Sequence, residues 1–241
     1  MQKQLKTSKN TFMIIIDKLK VNYGNNNVLN ELCLDIASNT IHGLVGLNGS
    51  GKTTLLNTIY GLKSKEKGTI HYYDEDIKRG KIAYLETINY FYPRITGKEY
   101  LSIFKTQNPN FEVDKWNTLF ELPLNKLIDD YSTGMKKKLA IMGIICLNRE
   151  VMILDEPFNG VDLDTVQKIK TLLLQLKSKK TIIITSHILE SLLPICDSIS
   201  YLNNRKIEFT KNKNNFDEIE NDIFAVHQEN LDNKIKDLIG Q

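Results

Sequence analysis

Nine consecutive residues, Gly46-Leu47-Asn48-Gly49-Ser50-Gly51-Lys52-Thr53-Thr54, fit the spacing G-x-x-x-x-G-K-[ST] of a phosphate-binding loop. Glycines at 46, 49 and 51 admit backbone angles closed to other residues, so successive N–H groups can converge on phosphate oxygens. Lys52 brings a cation to the outer phosphates, and the Thr53 hydroxyl is a hard oxygen suited to Mg²⁺. A second group lies far along the chain, where the apolar run Val151–Leu154 ends in Asp155 and Glu156. Asp155 can hold Mg²⁺, usually through water, and Glu156 can take a proton from an attacking water. A solvated acidic turn is the plain alternative for that pair. Taken together, the two groups point to binding of a nucleoside triphosphate.

These residues need elements to hold them. Ile41–Val45 reads as a strand feeding the loop, and Thr54–Tyr60 as a helix whose positive end lies beneath the anion. Upstream, Phe12–Ile16 and Val28–Ile36 are β-rich and flank the turn residues Tyr23–Asn27, which suggests antiparallel strands. Short β regions follow at Thr69–Tyr73 and Lys81–Leu85. Between about 94 and 148 the pattern turns helical. Thr96 and Glu99 form a capping box that opens a helix through Lys105, and 114–121 and 136–147 follow. Alternation then returns. Val151–Leu154 is expected as a parallel strand next to the phosphate-loop strand. A helix at Thr165–Leu176 turns Val166, Ile169, Leu172, Leu173 and Leu176 to one face. A strand at Thr181–Thr185, a helix after His187 and a strand at Ser198–Leu202 complete the set. Strand–helix–strand repetition with short links implies parallel strands and right-handed crossovers. Residues 210–241 read as a peripheral tail with room for a short helix.

Composition sets the background. The 241 residues are 41% hydrophobic and 25% charged, as in an ordinary globular protein, and the net charge of +3 gives no push toward nucleic acid. Cys33, Cys146 and Cys196 lie far apart in apolar segments, with neither metal-ligand spacing nor a disulfide framework, and read as small buried hydrophobes in a reducing compartment. The apolar run Leu139–Leu147 is far short of the roughly 20 residues that span a bilayer. The basic start (Lys3, Lys6, Lys9) precedes too short an apolar stretch for a signal peptide. A cytosolic location is expected.

From about residue 12 to residue 209 the chain resembles the ATP-binding subunit of ABC transporters. The resemblance implies an α/β fold: a P-loop NTPase with a RecA-like parallel core, an antiparallel β subdomain and an inserted α-helical subdomain. It implies ATP, bound by the whole loop Gly46 to Thr54, and Mg²⁺, held by Thr53 and Asp155. Tyr23 stands where the family stacks an aromatic ring on adenine, although a tyrosine simply packed in a strand would look the same. Tyr131-Ser132-Thr133-Gly134-Met135 stands at the signature sequence, keeping Ser132 and Gly134. Ser132 is also suited to cap the helix that follows. Asp162 is the expected acid of the loop after Glu156, and His187 matches the histidine that contacts the outermost phosphate. Lys52, Glu156 and His187 are thus the expected catalytic set.

One departure concerns the metal. The family usually places a glutamine after a strand such as Ile82–Leu85, and here that position aligns with Thr87, next to Glu86. Neither is a neutral amide able to touch both Mg²⁺ and water. Slow basal turnover is expected as a result. A single copy of each motif implies half-sites completed in a head-to-tail homodimer or heterodimer. A separate transmembrane permease would dock on the 95–130 region and the Thr87 loop, placing the protein at the inner face of the cell membrane. The signature style is similar to that of exporters. The competing class is a soluble ABC-type ATPase with no permease.

Overall fold

The computed structural model describes residues 12–73, 75, 76, 78–226 and 228. The expectations for Lys3, Lys6 and Lys9 and for the last part of the tail fall outside these residues. Strands β1 (Phe12–Tyr23) and β2 (Asn26–Ala37) form a hairpin, with Gly24 supplying the positive φ that its tight turn needs. β3 (Ile41–Val45) runs into the phosphate loop and helix α1 (Lys52–Tyr60). β4 (Lys67–Tyr72) and β5 (Glu75–Asp76) return to the hairpin, and β6 (Ile82–Leu85) ends two residues before Thr87. Three helices follow: α2 (Gly97–Lys105), α3 (Val113–Phe120) and α4 (Thr133–Cys146). β7 (Val151–Leu154), α5 (Leu163–Leu176), β8 (Thr181–Ser186), β9 (Ser198–Asn203) and β10 (Lys206–Asn212) complete the order.

Two sheets result. The antiparallel one has the order β2-β1-β4-β5, and the larger has the order β10-β9-β3-β8-β7-β6. In the larger sheet β9, β3, β8, β7 and β6 are parallel and only the edge strand β10 is antiparallel. β3, β7 and β8 are buried at every position, as parallel strands covered on both faces must be. Alternation assigns their side chains to two cores. Leu44, Ile153 and Ile183 pack with the antiparallel sheet and with Leu55, Leu56 and Ile59 of α1. Val45, Met152, Leu154, Ile182 and Ile184 pack on the opposite side with α4 and α5. α4 is apolar nearly all round and is accordingly buried. The capping box forms as its spacing predicts, with the Glu99 N–H donating to Thr96 Oγ1 and the Thr96 N–H to the Glu99 carboxylate.

Several expectations are corrected. β7 is not beside β3, because β8 lies between them. The helix expected after His187 shrinks to a 3-10 turn at Leu189–Ser191, since Pro194 lacks an N–H and clashes with a preceding carbonyl. The expected limit at residue 209 falls inside β10, and Ile219, within the helical segment 219–226, is fully buried in the core. Cys33 is exposed rather than buried: β2 is an edge strand, and Leu32 and Leu34 take the inward positions on either side of it.

Candidate nucleotide site

The phosphate loop leaves β3 at the middle of the larger sheet. Gly49 and Gly51 adopt positive φ angles of 79° and 110°, as their places in the motif require. Gly46 serves differently: a Cβ there would lie 2.4 Å from the Leu202 carbonyl oxygen of β9, so only glycine fits. Gly51 caps α1 without any side-chain hydrogen bond, leaving first-turn N–H groups directed at the loop. Lys52 is almost buried, and its Nζ donates to the carbonyls of Gly46 (2.7 Å) and Leu47 (3.2 Å). Burial lowers its pKa below the usual lysine value, with Glu156 and Asp155 opposing that shift.

The carboxylates arrive at the C-terminal end of β7, where α/β sheets place ligands. Asp155 is fully engaged. Its Oδ2 accepts from the hydroxyls of Thr53 (2.7 Å) and Thr87 (2.7 Å), and its Oδ1 accepts from Thr185 (2.6 Å). Thr185 Oγ1 also accepts the backbone N–H of Glu156 at 2.9 Å. One buried hydroxyl on β8 therefore fixes both acidic residues. Glu156 has a φ of 50°, a left-handed conformation that is strained for a residue with a Cβ. Its Oε2 lies 3.0 Å from His187 Nδ1, at the end of β8.

A cleft of about 350 Å³ gathers Asn48, Gly49, Gly51, Lys52, Thr53, Thr54, Thr87, Asp155, Glu156 and His187, together with Val28 and Asn159. Gly46, Leu47 and the other side of Asn48 and His187 line an adjoining, mostly apolar cleft of about 540 Å³, closed by Ile223 and Phe224. The smaller cleft is the chemical one, since it alone holds Lys52 and both carboxylates. Tyr23 is half-exposed outside it, with Lys63 Nζ 3.9 Å from the centre of its ring. Ser132 and Gly134 lie at the start of α4, with Ser132 Oγ accepting the Met135 N–H. They sit against the 159–162 loop, since a Cβ on Gly134 would be 3.3 Å from the Gly160 carbonyl. Asp162 caps α5, accepting from the N–H and hydroxyl of Thr165, so its carboxylate is committed locally. Those hydrogen bonds hold its pKa below the ordinary value.

Sequence reasoning missed Thr185, whose role depends on β8 lying between β3 and β7. The donor set suits Mg²⁺. One carboxylate and two hydroxyls, all hard oxygens, meet at Asp155 Oδ2, and among the described residues no three His, Cys, Asp or Glu side chains cluster to hold a metal unaided. Such a sparse set fits an ion that leans on phosphate oxygens. Glu86, one residue earlier, is exposed, and its backbone carbonyl accepts from the Asn89 amide.

A glycine-rich loop between β3 and α1, facing paired carboxylates on a nearby parallel strand, defines a P-loop nucleoside triphosphatase. The family described as ABC transporter matches residues 29–159. The ABC transporter ATP-binding protein YtrB of Bacillus subtilis is 32% identical over 205 residues, covering 81% of this chain and 70% of that protein. The bacitracin transport ATP-binding protein BcrA of Enterococcus faecalis is 30% identical, covering 79% and 66%. A solved ATP-binding subunit of an ABC transporter superposes with a TM-score of 0.77 at 25% identity, covering 83% of this chain and 90% of that one. The chain belongs to the ABC transporter family, as one of its ATP-binding proteins.

Proposed function

We propose that this chain hydrolyses ATP to power a membrane transporter, closing head to tail on a second ATPase subunit when ATP binds and parting after cleavage. The observation that carries this reading is the division of the phosphate-binding parts. Lys52, Asp155 and Glu156 share one cleft, whereas Ser132 and Gly134 open a different helix outside it. The start of α4 suits an anion, and in a head-to-tail pair that anion is the outer phosphate held by the other copy. An identical or a related subunit would serve equally.

Within the cleft, Lys52 and the first turn of α1 carry the charge of the triphosphate. Thr53, Asp155 and Thr87 would hold Mg²⁺, which would supply charge neutralisation for the triphosphate. Glu156, steadied by His187 and Thr185, accepts a proton as water oxygen bonds to the γ-phosphorus and the bridging bond to ADP breaks. Tyr23 offers its ring to adenine. Loss of the shared phosphate then weakens the pair, a two-state change that a partner can use.

No described helix is long and apolar enough to cross a membrane; in this reading the span belongs to a separate permease. Ile88 and Tyr90, 85% and 71% exposed beside Thr87, together with the helical insertion, offer its docking surface at the inner face of the membrane. Export is favoured by the Tyr131–Met135 signature and by the relative named for bacitracin transport. The test uses Glu156→Gln. With ATP and Mg²⁺ this variant accumulates as a dimer by light scattering, while the parent cycles. Hydrolysis by Glu156→Gln at the parental rate removes Glu156 from its role and ends this reading.

A further inference from the structure

Three lysines in succession, Lys136, Lys137 and Lys138, would ordinarily lie on a solvated helix face. Only the middle one is buried, with 6% of its surface exposed. It shares the inward face of α4 with Ala140, Ile141 and Ile144, at the i, i+3, i+4 and i+7 spacing that turns one stripe toward the sheet. A lysine on that face needs a partner, because burying an ammonium is costly unless its donors are used. Lys137 Nζ donates to the Thr87 carbonyl oxygen at 3.1 Å. The hydroxyl of that same Thr87 donates to Asp155 Oδ2 at 2.7 Å. The N-terminus of the same helix is capped by Ser132, five residues and about 7.5 Å of helix rise from Lys137.

We infer that Lys137 is a positioning residue: it ties α4, the helix begun by Ser132 and Gly134, to the loop that sets Thr87 against Asp155. The inference rests on the proposed ATPase reading and adds to it. A displacement of α4 on engaging a neighbour's phosphate then pulls on the loop carrying Thr87, so the signature end of one site and the metal end of the other belong to one rigid connection. Electrostatics agrees with this geometry. Burial depresses the lysine pKa, and Asp155 and Glu156 act in the opposite sense by favouring the charged form.

The test compares Lys137→Met, which keeps an unbranched flexible side chain and loses the donors, with Lys137→Arg, which keeps a cationic donor. Expected for Lys137→Met are a kcat lowered about tenfold or more, little change in KM for ATP, and a raised Mg²⁺ requirement. Expected without turnover are faster hydrogen exchange at residues 86–92 and unchanged affinity for a fluorescent ATP analogue in the absence of Mg²⁺. Lys137→Arg recovers most of the kcat and the exchange protection. Should Lys137→Met fail to fold, Lys137→Gln, whose amide falls about one bond short of the carbonyl, carries the test with the same expected direction. Parental kcat and parental exchange in the folded donor-deficient variant overturn the tie, as does an Arg variant that restores neither. A parent protein that never hydrolyses ATP refutes the ATPase reading instead, so the two failures are distinguishable.

Discussion

Replacing Thr185 by valine tests the central geometry of the site, because shape is nearly kept while one hydroxyl is lost. That hydroxyl is fully buried, donates to Asp155 Oδ1 at 2.6 Å and accepts from the Glu156 N–H at 2.9 Å. Valine leaves the buried N–H without an acceptor, at about 1–3 kcal/mol, and removes a charge-assisted bond of about 1.5–3 kcal/mol. Burying the added methyl returns about 0.8 kcal/mol. The net loss is about 2–5 kcal/mol, a fall in Tm of roughly 4–20 °C for a chain of this size. Function should suffer beyond stability. With Asp155 and Glu156 free to reorient, kcat drops about tenfold or more while ATP affinity without Mg²⁺ holds. Thermal unfolding by circular dichroism, a phosphate-release assay and a Mg²⁺ titration read these effects, and Thr185→Ser should restore turnover and the Mg²⁺ response, and the Tm except for about 0.8 kcal/mol from its missing buried methyl. A valine variant that melts within a degree of the parent and turns over equally fast refutes the claim that this hydroxyl fixes both acids.

Lys52→Ala should abolish turnover and weaken nucleotide binding at least tenfold by equilibrium titration; unchanged affinity would place the triphosphate elsewhere. Thr87→Gln, assayed in the assembled complex, should raise kcat severalfold by adding an amide that orients water, and an unchanged kcat would dismiss the idea that Thr87 slows basal turnover. Acid should destabilise the fold through His42. This residue is fully buried in β3 with Nδ1 2.8 Å from Ser198 Oγ, and burial pushes its pKa from 6.5 down to about 4. The unfolded chain takes up a proton as pH falls through 6.5 while the folded chain does not until about 4. Stability present at pH 7 is therefore lost across that window, by at most about 3 kcal/mol. Urea midpoints measured from pH 7 to 4.5 should fall in the parent and stay flatter in His42→Asn; equal slopes would contradict this account.

What could be read in the sequence was local. The phosphate loop, the Thr96–Glu99 capping box, the cap at Ser132 and the apolar strand before Asp155 are each spelled out within a few residues, and each forms. What escaped was order across the sheet. No local pattern reveals that β8 inserts between β3 and β7, and Thr185 has meaning only there. Strand β10 was hidden because a register shift between Ile207 and Phe209 breaks its alternation, and polar residues fill its other positions. The three-lysine run concealed Lys137 for a related reason: helix rotation, not residue type, decides which lysine turns inward. Asp162 was legible as an acid after Glu156, but its duty as the cap of α5 emerged only with the helix itself.

The left-handed backbone at Glu156 carries a consequence for anyone improving this protein. Glycine would adopt that conformation without the roughly 1–2 kcal/mol that a Cβ costs there. A selection scored by heat resistance alone would therefore reward Glu156→Gly while discarding the water-activating acid. Durability and turnover pull one codon in opposite directions, so thermostable variants need an activity screen beside the melting curve.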